Sequence, residues 1–219
     1  MKAMILAAGR GERLRPLTAS IPKPLIDVGG ESLLERHLRR LRGAGFDDVV
    51  INVSHLGDQI ERRCGDGARL GMSVSYSREA EGPLETAGGI LAALPLLGQA
   101  PFLVVNADIW TDYPFERLRL RPQFAHLVLV PNPPHHTAGD FDLDGQVLVH
   151  GVGHACTYSG IGVFNPALFA GVAPGRRPLA PLLFEYAARA ALSGEIFRGR
   201  WFDIGTMDRL EEARRAVAG

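Results

Sequence analysis

Gly9 and Gly11, in the stretch LAAGRGERLRPLTASIPKP (residues 6–24), stand among Arg10, Arg13, Arg15 and Lys23. Glycines can turn a chain so that successive backbone N–H groups face an anion, and those near Ala8 to Gly11 are placed to do so. Arg13, Arg15 and Lys23 add cationic reach towards a polyphosphate laid across the loop. The pattern fails the dinucleotide fingerprint, because Leu14 replaces the third glycine, and it fails the Walker pattern, because no Gly-Lys-Ser/Thr follows. Pro16, Pro22 and Pro24 restrict their own φ and bias the residues before them away from the helix. The chain is therefore expected to leave a strand, turn at the glycines and run on as an extended loop, with Lys23 held stiffly between two prolines. Two glycines alone would suit an ordinary surface loop with solvated arginines. The combined spacing GxGxRLRPLT…PKP is far more specific and favours a phosphate site.

Two aspartates offer a second chemistry. Asp108 follows the run Phe102 to Asn106, and Asp203 lies in WFDIGT, residues 201–206, each at the end of an expected strand. Two such carboxylates can meet over the carboxyl edge of a sheet and hold one hard divalent cation. Singly, Asp108 could be a turn residue and Asp203 a cap towards Thr206; beside the glycine–arginine loop, metal binding is favoured. The seven histidines form no metal set, and the adjacent His135 and His136, on a proline-rich loop, are expected to be solvated.

The elements that must position these groups alternate between strand and helix. Ala3 to Leu6 and Tyr158 to Phe164 read as strands, Val49 to Val53 as a buried strand, Pro101 to Asn106 and Ala125 to Val130 as central strands, and Met72 to Tyr76 as a half-buried or edge strand. Ser32 to Leu41 reads as a helix with Ser32 and Glu35 in capping-box spacing, stopped by Gly43 and Gly45. Leu56 to Cys64, Thr86 to Leu97 with Thr86 as its cap, Leu179 to Leu192 and Thr206 to Val217 complete the helices. Asp144-Gly145 marks a hairpin, and Glu195 to Phe202 is strand-like. Such alternation implies an α/β fold with a mostly parallel sheet and helices on both faces. Ligands then sit beyond the carboxyl ends of the strands, just after Leu6, Val105 and Phe202.

The 219 residues, 46% of them hydrophobic, suit one large domain with a sizeable core. Twenty-four basic and 24 acidic residues balance, which argues against nucleic acid as a partner. No run of eighteen apolar residues suggests a membrane span, and the short apolar N-terminus reads as a strand rather than an export signal. Cys64 and Cys156 lack metal-ligand spacing and suit free thiols in a reducing cytoplasm.

LAAGRGERLRPLT followed by PKPL resembles the nucleotide-binding entry of the sugar-1-phosphate nucleotidyltransferases, and the likeness covers nearly the whole chain. The strings PLETAGGI (83–90), VVNADIWTDY (104–113), LVLVPNPPHH (127–136), GDFDL (139–143) and WFDIGT (201–206) resemble the N-acetylmuramate-1-phosphate uridylyltransferase branch. The resemblance implies a single Rossmann-like, three-layer αβα domain over 1–219, binding nucleotide in about 1–110 and sugar in about 111–219. It implies transfer of a uridylyl group from UTP to N-acetylmuramic acid 1-phosphate, with pyrophosphate released. Arg13 would contact the phosphates and assist pyrophosphate departure, and Lys23 would also contact phosphate. Ala7, Ala8, Gly9, Gly11 and Glu12 would wrap the nucleotide, and Gly82, Glu85 and Thr86 would pass near its base. Asn106 and Asp140 would contact the sugar, while Ser159 and Gly160 would let it approach the backbone. Asp108 and Asp203 would hold Mg2+, which offsets the repulsion between a triphosphate of about four negative charges and a sugar phosphate of about two. No protein nucleophile is needed: a sugar-phosphate oxygen attacks the α-phosphorus in line.

The sequence departs from the family at two places. Ala107 stands where the family often has Gly between the Asn and the Asp, and its methyl group would tighten the site without abolishing it. Glu85 stands where guanylyl-transferring relatives carry Gly, which favours the muramate branch without fixing the base. No hexapeptide repeat follows, so a monomer is the expectation. The alternatives are mannose 1-phosphate with GTP, or a regulatory subunit without turnover. A regulatory subunit would be expected to lose Arg13, Lys23 or a metal aspartate, and all are present. A glycosyltransferase would offer a DxD pair, which Asp108-Ile109-Trp110 does not.

Overall fold

Along β1 (Ala3–Leu6) neighbouring side chains bury on opposite sides: Ala3 and Ile5 enter one apolar cluster and Met4 another. A strand covered on both faces reads as a continuous apolar run, which is why AMIL and FLVVN carry no alternation. The computed structural model describes residues 1–80, 82–150 and 155–218. The further strands are β2 (Asp48–Val53), β3 (Ser73–Arg78), β4 (Phe102–Asn106), β5 (Ile109–Thr111), β6 (Ala125–Pro131), β7 (Asp142–Asp144), β8 (Val147–Val149), β9 (Cys156–Phe164), β10 (Leu192–Ile196) and β11 (Trp201–Asp203). The helices are α1 (Leu33–Gly43), α2 (Gly57–Cys64), α3 (Glu85–Leu97), α4 (Ala180–Ala187) and α5 (Met207–Ala218).

Among the described residues the main sheet has nine strands in the order β3-β2-β1-β4-β9-β6-β10-β8-β7. Only β8 and β9 run against the other seven, so the sheet is mixed but mostly parallel. Leu34, Leu38 and Leu41 of α1 and Ile60 of α2 bury on one face. Ala87, Ile90 and Ala93 of α3 and Leu183 of α4 bury on the other. The result is the expected three-layer single domain. Ser32 caps α1 as its spacing predicts, accepting from the Glu35 amide at 3.3 Å and donating to the Glu35 carboxylate at 2.7 Å. Both cysteines are free and buried.

Several expectations are corrected. Residues 14–24 are not an extended loop: the chain makes short 3-10 turns at Glu12–Leu14, Leu17–Ala19 and Lys23–Leu25, while the prolines do keep it out of an α-helix. Thr86 does not cap α3. The Leu84 amide donates to the Glu79 carboxylate at 2.7 Å, and the Ala87 and Gly88 amides donate to the Arg177 carbonyl. Tertiary partners thus replace a local cap. The helix expected over 179–192 ends at Ala187, because Ala190 takes φ 51° and the Ala191 and Ala190 amides close on the Tyr186 and Ala187 carbonyls. This is a Schellman closure made on alanine, so no glycine announced it. Leu192 instead opens β10. The strand expected over 195–202 is split into β10 and β11, and β11 leaves the main sheet to pair with β5.

Candidate active site

β1 is flanked by β2 and β4, which places the switch point of the sheet at the carboxyl end of β1. There Leu6 lies in register with Asn52 on one side and Asn106 on the other. The chain leaving Leu6 forms the floor of a cavity of about 450 Å3, lined by residues 6–13, Lys23, Glu85, Thr86, Asn106 and Asp108 among others. Gly11 takes φ 64°, and a methyl group there would lie 2.9 Å from the Thr18 side chain, so only glycine fits. A methyl group at Gly9 would meet nothing within 4 Å. Lys23 is buried beneath the loop with its Nζ on Asp108 Oδ2 at 2.5 Å. Arg13 is exposed and borders both this cavity and its neighbour.

A buried polar bridge underpins this floor, and no spacing in the sequence pointed to it. Asn52 Oδ1 accepts from the Ala7 amide at 2.7 Å, and its Nδ2 donates to Glu79 Oε1 at 2.7 Å. Glu79 Oε2 in turn holds the Leu84 amide. One network therefore ties the start of the glycine loop to the segment 82–86. Gly89 is a glycine because a methyl group there would stand 2.7 Å from Glu79 Oε1 and 2.8 Å from Asn52 Nδ2. Glu85 has φ 61°, a conformation that favours glycine, and its carboxylate pairs with Arg176 at 2.8 Å. Gly82, with φ 105°, borders an adjoining pocket beside Arg10 rather than the main cavity.

Asp108 and Asp203 are brought together by the two-stranded β5–β11 ladder, in which Asp203 lies opposite Ile109 and the Ile204 amide donates to the Asp108 carbonyl at 2.9 Å. The free edge of β5 is held by three side chains of α1. Arg36 reaches the Thr111 carbonyl, Arg40 the Tyr113 carbonyl, and His37 Nε2 the Ile109 carbonyl at 2.9 Å. Burial pushes the His37 imidazole down to about 4, so it is neutral and donates this bond. Ala107 is buried in the same apolar cluster as Ala7 and Ile109, and it also borders the cavity.

The second half of the cleft is a cavity of about 400 Å3 containing Asn106, Asp108, Asp140, Gly160, Trp201 and Asp203. Here β6 and β9 slip register between Val128 and Leu129, and Ser159 and Gly160 form the bulge. Gly160 has φ 81°, and a methyl group there would lie 2.6 Å from Asn106 Nδ2; the Asn106 side chain occupies that space. The buried Ser159 hydroxyl donates to the Val128 carbonyl at 2.6 Å and accepts from the Ile161 amide, so its oxygen is committed to the bulge. Asp140 accepts from the Tyr158 amide at 2.8 Å. Of the two histidines expected to be solvated, His135 is exposed and His136 only partly so, and both stand beside carboxylates: His135 Nε2 lies 3.4 Å from Asp203 and His136 Nε2 3.1 Å from Asp140.

Asp108 and Asp203 each have positive charge settled on them, Lys23 on the first and the Arg209 guanidinium on the second. Paired carboxylate oxygens at a cleft suit a hard divalent cation. No third acidic or histidine ligand completes a cluster among the described residues, so phosphate oxygens and water would have to fill the remaining positions. Arg209 lay outside every sequence motif. Its signal was position: a cation in the first turn of a helix opposes the helix dipole and needs a compensating partner.

Comparison with known proteins bears on this cleft. The Nucleotidyl transferase family profile matches residues 2–123. N-acetylmuramate alpha-1-phosphate uridylyltransferase of Neisseria meningitidis is 50% identical, aligned over 100% of this chain and 99% of its own. The enzyme of the same name from Caulobacter vibrioides is 32% identical over 93% of this chain and 91% of its own. The catalytic subunit beta of mannose-1-phosphate guanylyltransferase from Xenopus tropicalis is 33% identical over 94% of this chain and 61% of its own. Among solved structures, HddC from Yersinia pseudotuberculosis complexed with GMP-PN superposes with a TM-score of 0.78 at 20% identity, covering 98% of each chain. At that identity the likeness speaks for the fold. The profile and the full-length identity speak for more: this chain belongs to the nucleotidyl transferase family, as a sugar-1-phosphate nucleotidyltransferase.

Proposed function

We propose that this enzyme transfers the uridylyl group of UTP to N-acetylmuramic acid 1-phosphate, giving UDP-N-acetylmuramic acid and pyrophosphate in cell-wall recycling. The 50% identity along the full length of the Neisseria meningitidis enzyme carries this reading. The triphosphate lies over the glycine loop, with Arg13 free at the cleft mouth to meet the departing pyrophosphate. Lys23 neutralises phosphate from below, and Pro83, Glu85 and Thr86 border the base. Asn106 and Asp140 face the sugar. Asp108 and Asp203 would hold Mg2+, which when bound supplies the charge that lets two anions approach. The chain's own groups orient the sugar phosphate for in-line attack and compensate the charge that develops on the leaving group. The enzyme acts as a monomer in the cytoplasm, where UTP is made; light scattering of the purified protein checks the first point.

The test is pyrophosphate release across four nucleoside triphosphates and a panel of sugar 1-phosphates, with and without Mg2+. Turnover confined to UTP with N-acetylmuramic acid 1-phosphate, and lost with EDTA, is expected. Turnover with GTP and mannose 1-phosphate would keep the chemistry and overturn the substrates, a second reading that the 33% identity to the Xenopus tropicalis subunit favours.

A further inference from the structure

Arg209 is a cation in an unfavourable place. It is the third residue of α5, where the helix dipole opposes positive charge. Its side chain is only 15% exposed although a surface helix could send it to water. Its guanidinium lies on Asp203, and its Nε is 3.4 Å from the Thr206 hydroxyl. Gly205 makes this path open, since a methyl group there would overlap the guanidinium.

Its location separates it from the other cleft cations. Lys23 borders the nucleotide cavity and Arg13 borders both cavities, whereas Arg209 borders only the one containing Asp140 and Gly160. Besides the exposed Arg13, the other basic groups lining it among the described residues are His135, which is exposed, and His136, which is partly buried. A phosphate monoester brings about two negative charges, and a guanidinium is the side chain suited to gripping it with two parallel hydrogen bonds.

We propose that Arg209 binds the phosphate of the sugar 1-phosphate. In the substrate-free protein Asp203 holds it in waiting, and it passes to the phosphate when a divalent cation takes over that carboxylate. The proposal rests on the reading of the enzyme as a sugar-1-phosphate transferase. Lys23 on Asp108 forms the matching pair on the nucleotide side, so each carboxylate would exchange a side-chain cation for the metal, and each released cation would meet a phosphate.

Arg209→Gln and Arg209→Lys are compared with the wild type after melting curves establish that each is folded. Mn2+ binding to the substrate-free protein is read by electron paramagnetic resonance, and KM is read for each substrate separately. In Arg209→Gln, Mn2+ affinity should rise several-fold, because a competing cation is gone. KM for the sugar 1-phosphate should rise about tenfold or more, with KM for the nucleotide within about twofold. Arg209→Lys should recover part of the sugar-phosphate affinity. A weaker Mn2+ site, or two KM values rising together, would mean that Arg209 only orients Asp203 and would overturn the proposal. The kinetic arm uses whichever nucleotide and sugar 1-phosphate the wild type turns over. An error in the substrate assignment therefore appears in the wild type, and an error about Arg209 appears in the variants.

Discussion

Replacing Asn52 by Leu should destabilise the protein by about 2.5–6 kcal/mol. Asn52 is 3% exposed and Glu79 is 4% exposed, so water cannot take over what the amide provides. Leucine keeps the branching and heavy-atom count of the side chain but removes both polar contacts. The Ala7 amide, now an unpaired buried donor, costs roughly 1–3 kcal/mol, and the lost bond to a carboxylate costs roughly 1.5–3 kcal/mol. Set against a typical domain stability of about 5–15 kcal/mol, that is a large fraction. The assay is urea unfolding followed by tryptophan fluorescence and circular dichroism, with the slope checked for two-state behaviour. Adding Glu79→Gln to Asn52→Leu replaces the buried carboxylate by a neutral amide, and should recover about 1 kcal/mol or more in the double-mutant cycle. A loss below about 1 kcal/mol for Asn52→Leu, with no coupling to Glu79, would refute the view that this bridge ties the glycine loop to residues 82–86.

Three further outcomes can be checked directly. Asp108→Asn should abolish pyrophosphate release while leaving the circular dichroism spectrum unchanged; near-normal turnover would remove Asp108 from the site. Arg13→Ala should lower kcat far more than it raises either KM, because an exposed arginine meeting the leaving group acts mainly in the transition state; a change in KM alone would assign it to uniform binding. His37 stays neutral in the fold down to about pH 4, whereas the unfolded chain takes up its proton near 6.5. Its contribution to stability is therefore complete above pH 6.5 and lost as the pH falls towards 4, by up to about 3 kcal/mol, and His37→Leu should flatten that part of the urea-midpoint profile.

Much of the site was legible because its signals are local. Gly11 needs a left-handed φ and close approach to Thr18, and both constraints fall within one short stretch of chain. Ser32 and Glu35 cap α1 across a single turn. The strand-end rule located the cleft because β1, β2 and β4 are buried on both faces and carry that burial in their composition. Partners set by tertiary contact were not legible. Glu79 satisfies the start of α3 in place of a cap, Ala190 closes α4 without glycine, and His135 and His136 lie beside carboxylates that only the folded chain brings to them.

The sequence by itself determined the glycine loop at the end of the first strand, the alternation of strand and helix, and two aspartates at strand ends, since each depends on residue type and short spacing. Only the tertiary structure decided how those aspartates meet. The β5–β11 ladder, three residues long on each side, sets Asp203 beside Asp108, and α1 secures its other edge through Arg36, His37 and Arg40. A strand that short has too few residues for a periodic signature. Its pairing is stabilised by distant groups, and so are the two cations that rest on the aspartates, Lys23 and Arg209.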